Sequence, residues 1–123
     1  MYIELKTGYG DNGPAWISNV TFSKSGKTIY FNGKALKRML GGGIAGNFCD
    51  LETGDEYWVS GVKKKGTNRH WAGAGKIQID VNALNDFLRH IGQREVDSTQ
   101  YEICSDIQAT DPKDFLEMEN RKF

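Results

Sequence analysis

The stretch of sequence that decides the fold reads Thr21-Phe-Ser-Lys-Ser-Gly-Lys-Thr-Ile-Tyr-Phe-Asn-Gly33. β-Branched and aromatic residues flank the polar run at residues 23–27, which is typical of two antiparallel strands joined by a tight turn. Asn32 and Gly33 follow, and both residue types tolerate the positive φ that another turn requires. We therefore predict a β-hairpin here, inside a β-rich region.

Similar strand signals lie on both sides of this hairpin. Period-two alternation or β-rich composition marks residues 2–6, 15–23, 27–32, 48–52, 56–62 and 76–79. Thr53-Gly54-Asp55 separates two of these segments as a second hairpin turn. Residues 1–79 are thus predicted to form five to six short antiparallel strands, arranged as a small antiparallel β-barrel or a strongly curled sheet.

The hydrophobic period changes after this region. Apolar residues recur at helical spacing from Val81 to Ile91, behind Asp80 as a cap and ahead of Gly92 as a stop. Residues 101–105 are compatible with a short strand or a turn of helix, of which we predict the strand, and Asp111-Pro112 opens a second predicted helix. The fold class predicted from the sequence is therefore α+β, one domain over residues 1–123 with two C-terminal helices.

The charged residues are unevenly distributed along the 123 residues. The chain carries 16 basic and 16 acidic residues, which excludes a general polycation or an acidic mimic of nucleic acid. Residues 1–79 hold 11 basic and 6 acidic residues, whereas residues 80–123 hold 5 basic and 10 acidic ones. A basic, glycine- and aromatic-rich β part is therefore followed by an acidic helical part.

Several motifs resemble catalytic or nucleotide-binding signatures but lack the required context. Gly8-x-Gly10-x-x-Gly13 leads into a predicted strand, not the helix that would hold a pyrophosphate, and Ser25-Gly26-Lys27-Thr28 lies in a hairpin turn. The histidines and cysteines show no paired metal-ligand spacing and no nucleophile signature. We therefore predict no catalytic residue, no metal and no cofactor, so an enzyme is not favoured.

One segment combines aromatic and basic residues. It runs from Glu56 to Trp71, and its predicted contact residues are Trp58, Lys63, Lys64, Lys65, Arg69, His70 and Trp71. Cations neutralise phosphates and flat rings stack on bases, so this pattern suits single-stranded nucleic acid. Trp16, Tyr30 and Arg38 would extend such a face. The competing interpretation places both tryptophans in the core, with the lysines in a solvated turn.

These observations favour a non-catalytic binding module with nucleic acid as its first candidate partner. The alternatives are a protein-binding adaptor or inhibitor that uses the acidic C-terminal part, and a small enzyme centred on His70. No segment has the length and apolarity of a membrane span, and the sequence shows no leader pattern. A cytoplasmic location without membrane contact is expected, and oligomeric state is left open.

Several short sequence motifs also resemble those of a known group of proteins. They are Gly13-Pro-Ala-Trp-Ile17, Phe22-Ser-Lys-Ser-Gly-Lys-Thr-Ile-Tyr30, Gly42-Gly-Ile-Ala-Gly-Asn47, Glu56-Tyr-Trp-Val-Ser-Gly-Val-Lys-Lys64 and Asn68-Arg-His-Trp-Ala-Gly73. This group comprises small bacterial proteins with no established activity, some labelled 1-deoxy-D-xylulose-5-phosphate synthase. The resemblance spans about residues 1–90 and implies a bacterial origin. The label does not suit this chain, which is too short for that multidomain enzyme.

Overall fold

Nine short strands form one mixed sheet in the computed structural model, which describes residues 1–6, 14–39, 46–63 and 76–116. The order across the sheet is β3-β4-β5-β6-β7-β1-β2-β8-β9, with β8 parallel to both β2 and β9 and the other pairs antiparallel. The strands are β1 Tyr2–Leu5, β2 Ala15–Ile17, β3 Thr21–Phe22, β4 Thr28–Phe31, β5 Lys34–Arg38, β6 Phe48–Asp50, β7 Glu56–Ser60, β8 Ile77–Asp80 and β9 Tyr101–Cys104.

The predicted fold class of five to six antiparallel strands followed by two C-terminal helices is wrong. The segment at residues 15–23 is divided into β2 and β3, and β5, whose sequence is Lys-Ala-Leu-Lys-Arg, was not predicted. β9 is present, but it extends the sheet in parallel beyond β8. Within the described residues there is one α-helix, α1 at Leu84–Ile91, preceded by a 3₁₀ turn at Val81–Ala83.

The sheet curls because of the short connection between β2 and β3. The two strands lie six places apart in the sheet, which would separate them by about 29 Å in a flat sheet with a strand spacing of ~4.8 Å. The path from Ile17 to Thr21 reaches at most about 14 Å when fully extended. The strands from β3 to β2 must therefore bend round into a half-barrel.

The concave side of the half-barrel holds the main core. Its buried members come from β1, β4, β5, β6 and β7, and side chains of strands so far apart can meet only inside the curl. They are Ile3, Ile29, Phe31, Leu36, Phe48, Tyr57 and Val59. Alternate residues along each strand point to opposite faces, so this cluster defines the inner face of the sheet.

Helix α1 covers the opposite, outer face of β1, β2 and β8. Phe87 of the helix packs into a second core with Tyr2, Ile17 and Ile79. Asp80 caps the preceding 3₁₀ turn by accepting a hydrogen bond from the Asn82 amide, and Gly92 ends the helix with a φ of 71°. The predicted stop at Gly92 is confirmed, whereas Asp80 caps the 3₁₀ turn and α1 itself begins after Ala83, which makes no side-chain cap.

The chain after β9 crosses back to the turn between β4 and β5. The Gln108 amide donates to Asn32 Oδ1 at 2.9 Å, and the Gly33 amide donates to Thr110 Oγ1 at 2.6 Å. In place of the second predicted helix, the described residues form a 3₁₀ turn at Pro112–Phe115, capped by Asp111. This turn suffices to bury Phe115 in a third small core, with its ring 6.1 Å from that of Tyr30.

Among the described residues, no helix has the length and apolar character needed to cross a lipid bilayer.

Candidate functional site

Trp58 lies on the outer face of β7. Its neighbours Tyr57 and Val59 point inward and are buried in the main core, whereas the Trp58 side chain is 41% exposed. The alternation of a β-strand explains this difference, because consecutive side chains point to opposite faces. Trp58 is therefore not a core residue, and the competing interpretation is wrong for this position.

A buried polar group lies beside Trp58 on the same face. Glu4 of β1 is directly opposite Trp58 in the antiparallel register, and its side chain is only 1% exposed. The Glu4 carboxylate accepts a short hydrogen bond from the Tyr2 hydroxyl and forms an ion pair with Lys6 at 2.9 Å. Because a buried charge needs such partners, the arrangement holds Glu4 in place and compensates its charge.

This polar group was not predicted, although the sequence carries a signal for it. Tyr2, Glu4 and Lys6 alternate along β1, so their side chains share one face. The signal is an acidic residue with a tyrosine two positions before it and a lysine two positions after it, because both side chains can bind the carboxylate.

Lys63 follows β7 and is exposed. The segment before it is attached to helix α1, since the His90 ring nitrogen Nε2 lies 2.7 Å from the carbonyl oxygen of Val62. This contact places Val62, and Lys63 directly after it, next to the C-terminal end of α1. It is a structural role for His90, in line with the preference of histidine for helix C-termini.

The remaining predicted contact residues lie outside the described residues. They are Lys64, Lys65, Arg69, His70 and Trp71. The structure thus describes Trp58 and Lys63 of the predicted set, and it adds Tyr2, Glu4 and Lys6 beside Trp58. Two residues suggested as extensions do not join this face: Trp16 packs against the main core, and Tyr30 is buried against Phe115.

The described part of the chain offers little for catalysis or metal binding. No group of three or more histidine, cysteine or acidic side chains there is arranged to hold a metal ion. Asp80, a buried acid, accepts a hydrogen bond from Ser18 Oγ at 3.1 Å in addition to capping the helix. Its contacts are structural, since they join the β2–β3 connection to the start of the helix.

The Ser25-Gly26-Lys27-Thr28 motif forms the turn between β3 and β4 and the first residue of β4, with Gly26 at a φ of 74°.

Comparisons with family models, with curated proteins and with solved structures find no match to this chain. The resemblance to the group of small bacterial proteins stays a prediction. The functional argument therefore starts from the described side chains.

Proposed function

We propose that this protein is a non-catalytic binding module that contacts single-stranded nucleic acid through the outer face of β1 and β7. The observation that carries the proposal is the exposure of Trp58 on that face, with Lys63 exposed at the end of the same strand segment. An exposed indole offers a stacking surface to any base, and a nearby ammonium group attracts phosphate. This combination suits recognition without sequence readout.

The charge around Trp58 supports an anionic ligand. Glu4 is the acid directly opposite Trp58, but Lys6 and the Tyr2 hydroxyl compensate its carboxylate, and its burial keeps it away from solvent. The β-rich residues 1–79 carry an excess of basic residues, 11 against 6 acidic ones. In the proposal, Lys64, Lys65, Arg69, His70 and Trp71 extend the contact surface beyond Lys63.

The test is binding of a dye-labelled oligothymidylate followed by fluorescence anisotropy at about 50 and 200 mM salt. Loss of one stacked base costs about 1–3 kcal/mol, so Trp58→Ala should weaken binding about 5- to 150-fold. Lys63→Ala should weaken binding modestly and reduce the salt slope by about one. The matched control is Val81→Ala, which removes another half-exposed apolar side chain, from the 3₁₀ turn before α1.

Two results would overturn the proposal. One is an absence of binding by the wild-type chain at low salt. The other is an unchanged affinity in a folded Trp58→Ala protein, because the indole would then contribute no stacking.

A cytoplasmic location belongs to the same proposal. Cys49 and Cys104 are free thiols, as is usual in a reducing compartment, and burial raises the pKa of both. A thiol with a raised pKa is mostly protonated at neutral pH, so it reacts slowly with oxidants. The expected result is that both cysteines are recovered as free thiols when protein from intact cells is denatured in the presence of a maleimide.

A second candidate function, a protein-binding adaptor, is favoured by the exposed edge strand β9. β9 is the last strand of the described sheet, and its Ile103 side chain is 48% exposed. An exposed edge can accept a strand from another protein. A defined partner captured by the wild-type chain and lost by Ile103→Lys would support this function; equal capture by both would exclude the β9 edge.

A further inference from the structure

The inner face of the sheet reaches the surface at one end of the half-barrel. There a cavity of ≈ 310 Å³ is lined by residues from five neighbouring strands, namely Phe22, Ile29, Arg38, Phe48 and Val59. We call these five residues the barrel mouth. Ligand pockets span roughly 300–1,000 Å³, so the barrel mouth suits a single compact ligand.

Arg38 provides a flat cationic surface in the barrel mouth. It lies opposite Phe48 in the β5–β6 register, and its guanidinium carbon is 5.5 Å from the centroid of the Phe48 ring. A guanidinium in this position stacks on the ring and keeps its N–H donors at its edge. Within the described residues Arg38 forms no salt bridge, so these donors are available to a ligand.

Phe22 provides an apolar surface at the edge of the same cavity. It pairs with Ile29 on the inner face of β3, yet its side chain is 50% exposed because β3 is a two-residue edge strand. Phe22 and the Arg38–Phe48 pair are thus two aromatic elements that border one opening. A flat ring that enters the opening can contact both.

The charged residues around the barrel mouth favour the binding of an anionic ligand. Lys24 and Lys27 are exposed in the turn between β3 and β4, and the Arg38 amide donates to the Lys27 carbonyl at 2.8 Å. Among the described residues that line this cavity, none is acidic. The inner-face acid Asp50 lies further along β6 and is paired with Lys34 at 3.6 Å.

We propose that the barrel mouth binds a nucleoside monophosphate, with its base between Phe22 and Arg38 and its phosphate near Lys24 and Lys27. The flat apolar walls account for the base, and the unpaired cations account for the phosphate. This site lies on the inner face of the sheet and Trp58 lies on the outer face, so it does not depend on the proposed function.

The test is isothermal titration of the full chain with 5′-AMP, adenosine and inorganic phosphate. AMP should bind, and both fragments should bind at least about tenfold more weakly, because each keeps half of the contacts. Phe22→Ala and Arg38→Ala should each weaken AMP binding about tenfold or more. Arg38→Lys should fall between Arg38→Ala and the wild type, since it keeps the charge but not the planar group.

Val81→Ala, in the 3₁₀ turn before α1, is the control and should leave AMP affinity unchanged. Trp58→Ala separates the two faces: a loss of AMP affinity as large as that of Phe22→Ala would assign the binding to the outer face and overturn the proposal. No heat of binding with millimolar AMP would overturn the proposal, as would equal affinity for AMP and inorganic phosphate. Phe22→Ala keeps the test decisive if Arg38→Ala does not fold, because Phe22 is half exposed. A folded Phe22→Ala protein that binds AMP like the wild type would also contradict the site.

Discussion

The two faces of β7 differ in burial, because one faces the main core and the other faces solvent. Tyr57 and Val59 point inward and are buried, whereas Trp58 between them points outward and is 41% exposed. The outer residues of the neighbouring β1 are nevertheless buried, and Tyr2 packs in the core that helix α1 covers. Outward direction alone therefore does not expose a residue. The coverage by the C-terminal half determines which outward residues remain available for binding.

Tyr57→Ala should have the largest effect on stability among changes to this strand. Truncation of a large aromatic residue in a packed core costs about 3–5 kcal/mol, whereas Trp58→Ala should cost about 1 kcal/mol. The free energy of unfolding in urea measures both variants. Equal losses in the two variants would mean that the faces of β7 do not differ as proposed.

Glu4→Gln should give the next largest effect, because it removes the buried carboxylate that supports the outer face. Breaking one side of a buried ion pair typically costs about 3–5 kcal/mol, and the retained amide oxygen favours the lower end of that range. Asp86→Asn is the matched control: its pair with Arg89 at 3.3 Å is exposed on α1 and is worth about 0.5 kcal/mol or less. Urea denaturation of both variants should separate them clearly; a Glu4→Gln loss as small as that of Asp86→Asn would contradict the role assigned to Glu4.

The smallest effect concerns alkaline pH. Burial, together with the nearby Asp50 and Asp55 carboxylates, raises the pKa of Tyr57 from 10.0 to about 12. The folded chain then holds this proton more tightly than the unfolded chain does. Its contribution to stability is complete below pH 10 and is lost as the pH rises towards 12. Tyr57→Phe should remove this part of the pH dependence, as measured by urea unfolding at pH 9 and pH 11; an unchanged slope would exclude Tyr57 as its source.

Local patterns in the sequence predicted several elements correctly. The hairpin at residues 21–33, helix α1 with its Gly92 stop, and the strand near residue 101 are confirmed, and Asp80 caps the 3₁₀ turn that precedes the helix. Each of these depends on residues within one or two turns of the chain, such as a left-handed glycine or a capping carboxylate. A cap and a proline specify only a first turn, and the described residues at the second predicted helix form the 3₁₀ turn Pro112–Phe115.

The candidate site was predicted only in part, because local sequence patterns do not show which distant strands lie side by side. The pattern of aromatic and basic residues identified Trp58 and Lys63, but Glu4 joins them from β1, more than fifty positions earlier in the chain. The barrel mouth was not predicted at all, because its five residues come from five strands. Neither Phe22 nor Arg38 has a neighbour in sequence that indicates the other.

By itself, the sequence determined a β-rich first part and a helical segment that begins after Asp80. It left open whether Trp58 is exposed or buried. The tertiary structure decided the strand order, the parallel addition of β8 and β9, and the side of the sheet that α1 covers. The physical reason is that turns and caps are local, whereas curling follows from a link too short to span a flat sheet. That curl creates an inner and an outer face, and with them the separate environments of Tyr57, Trp58 and Arg38.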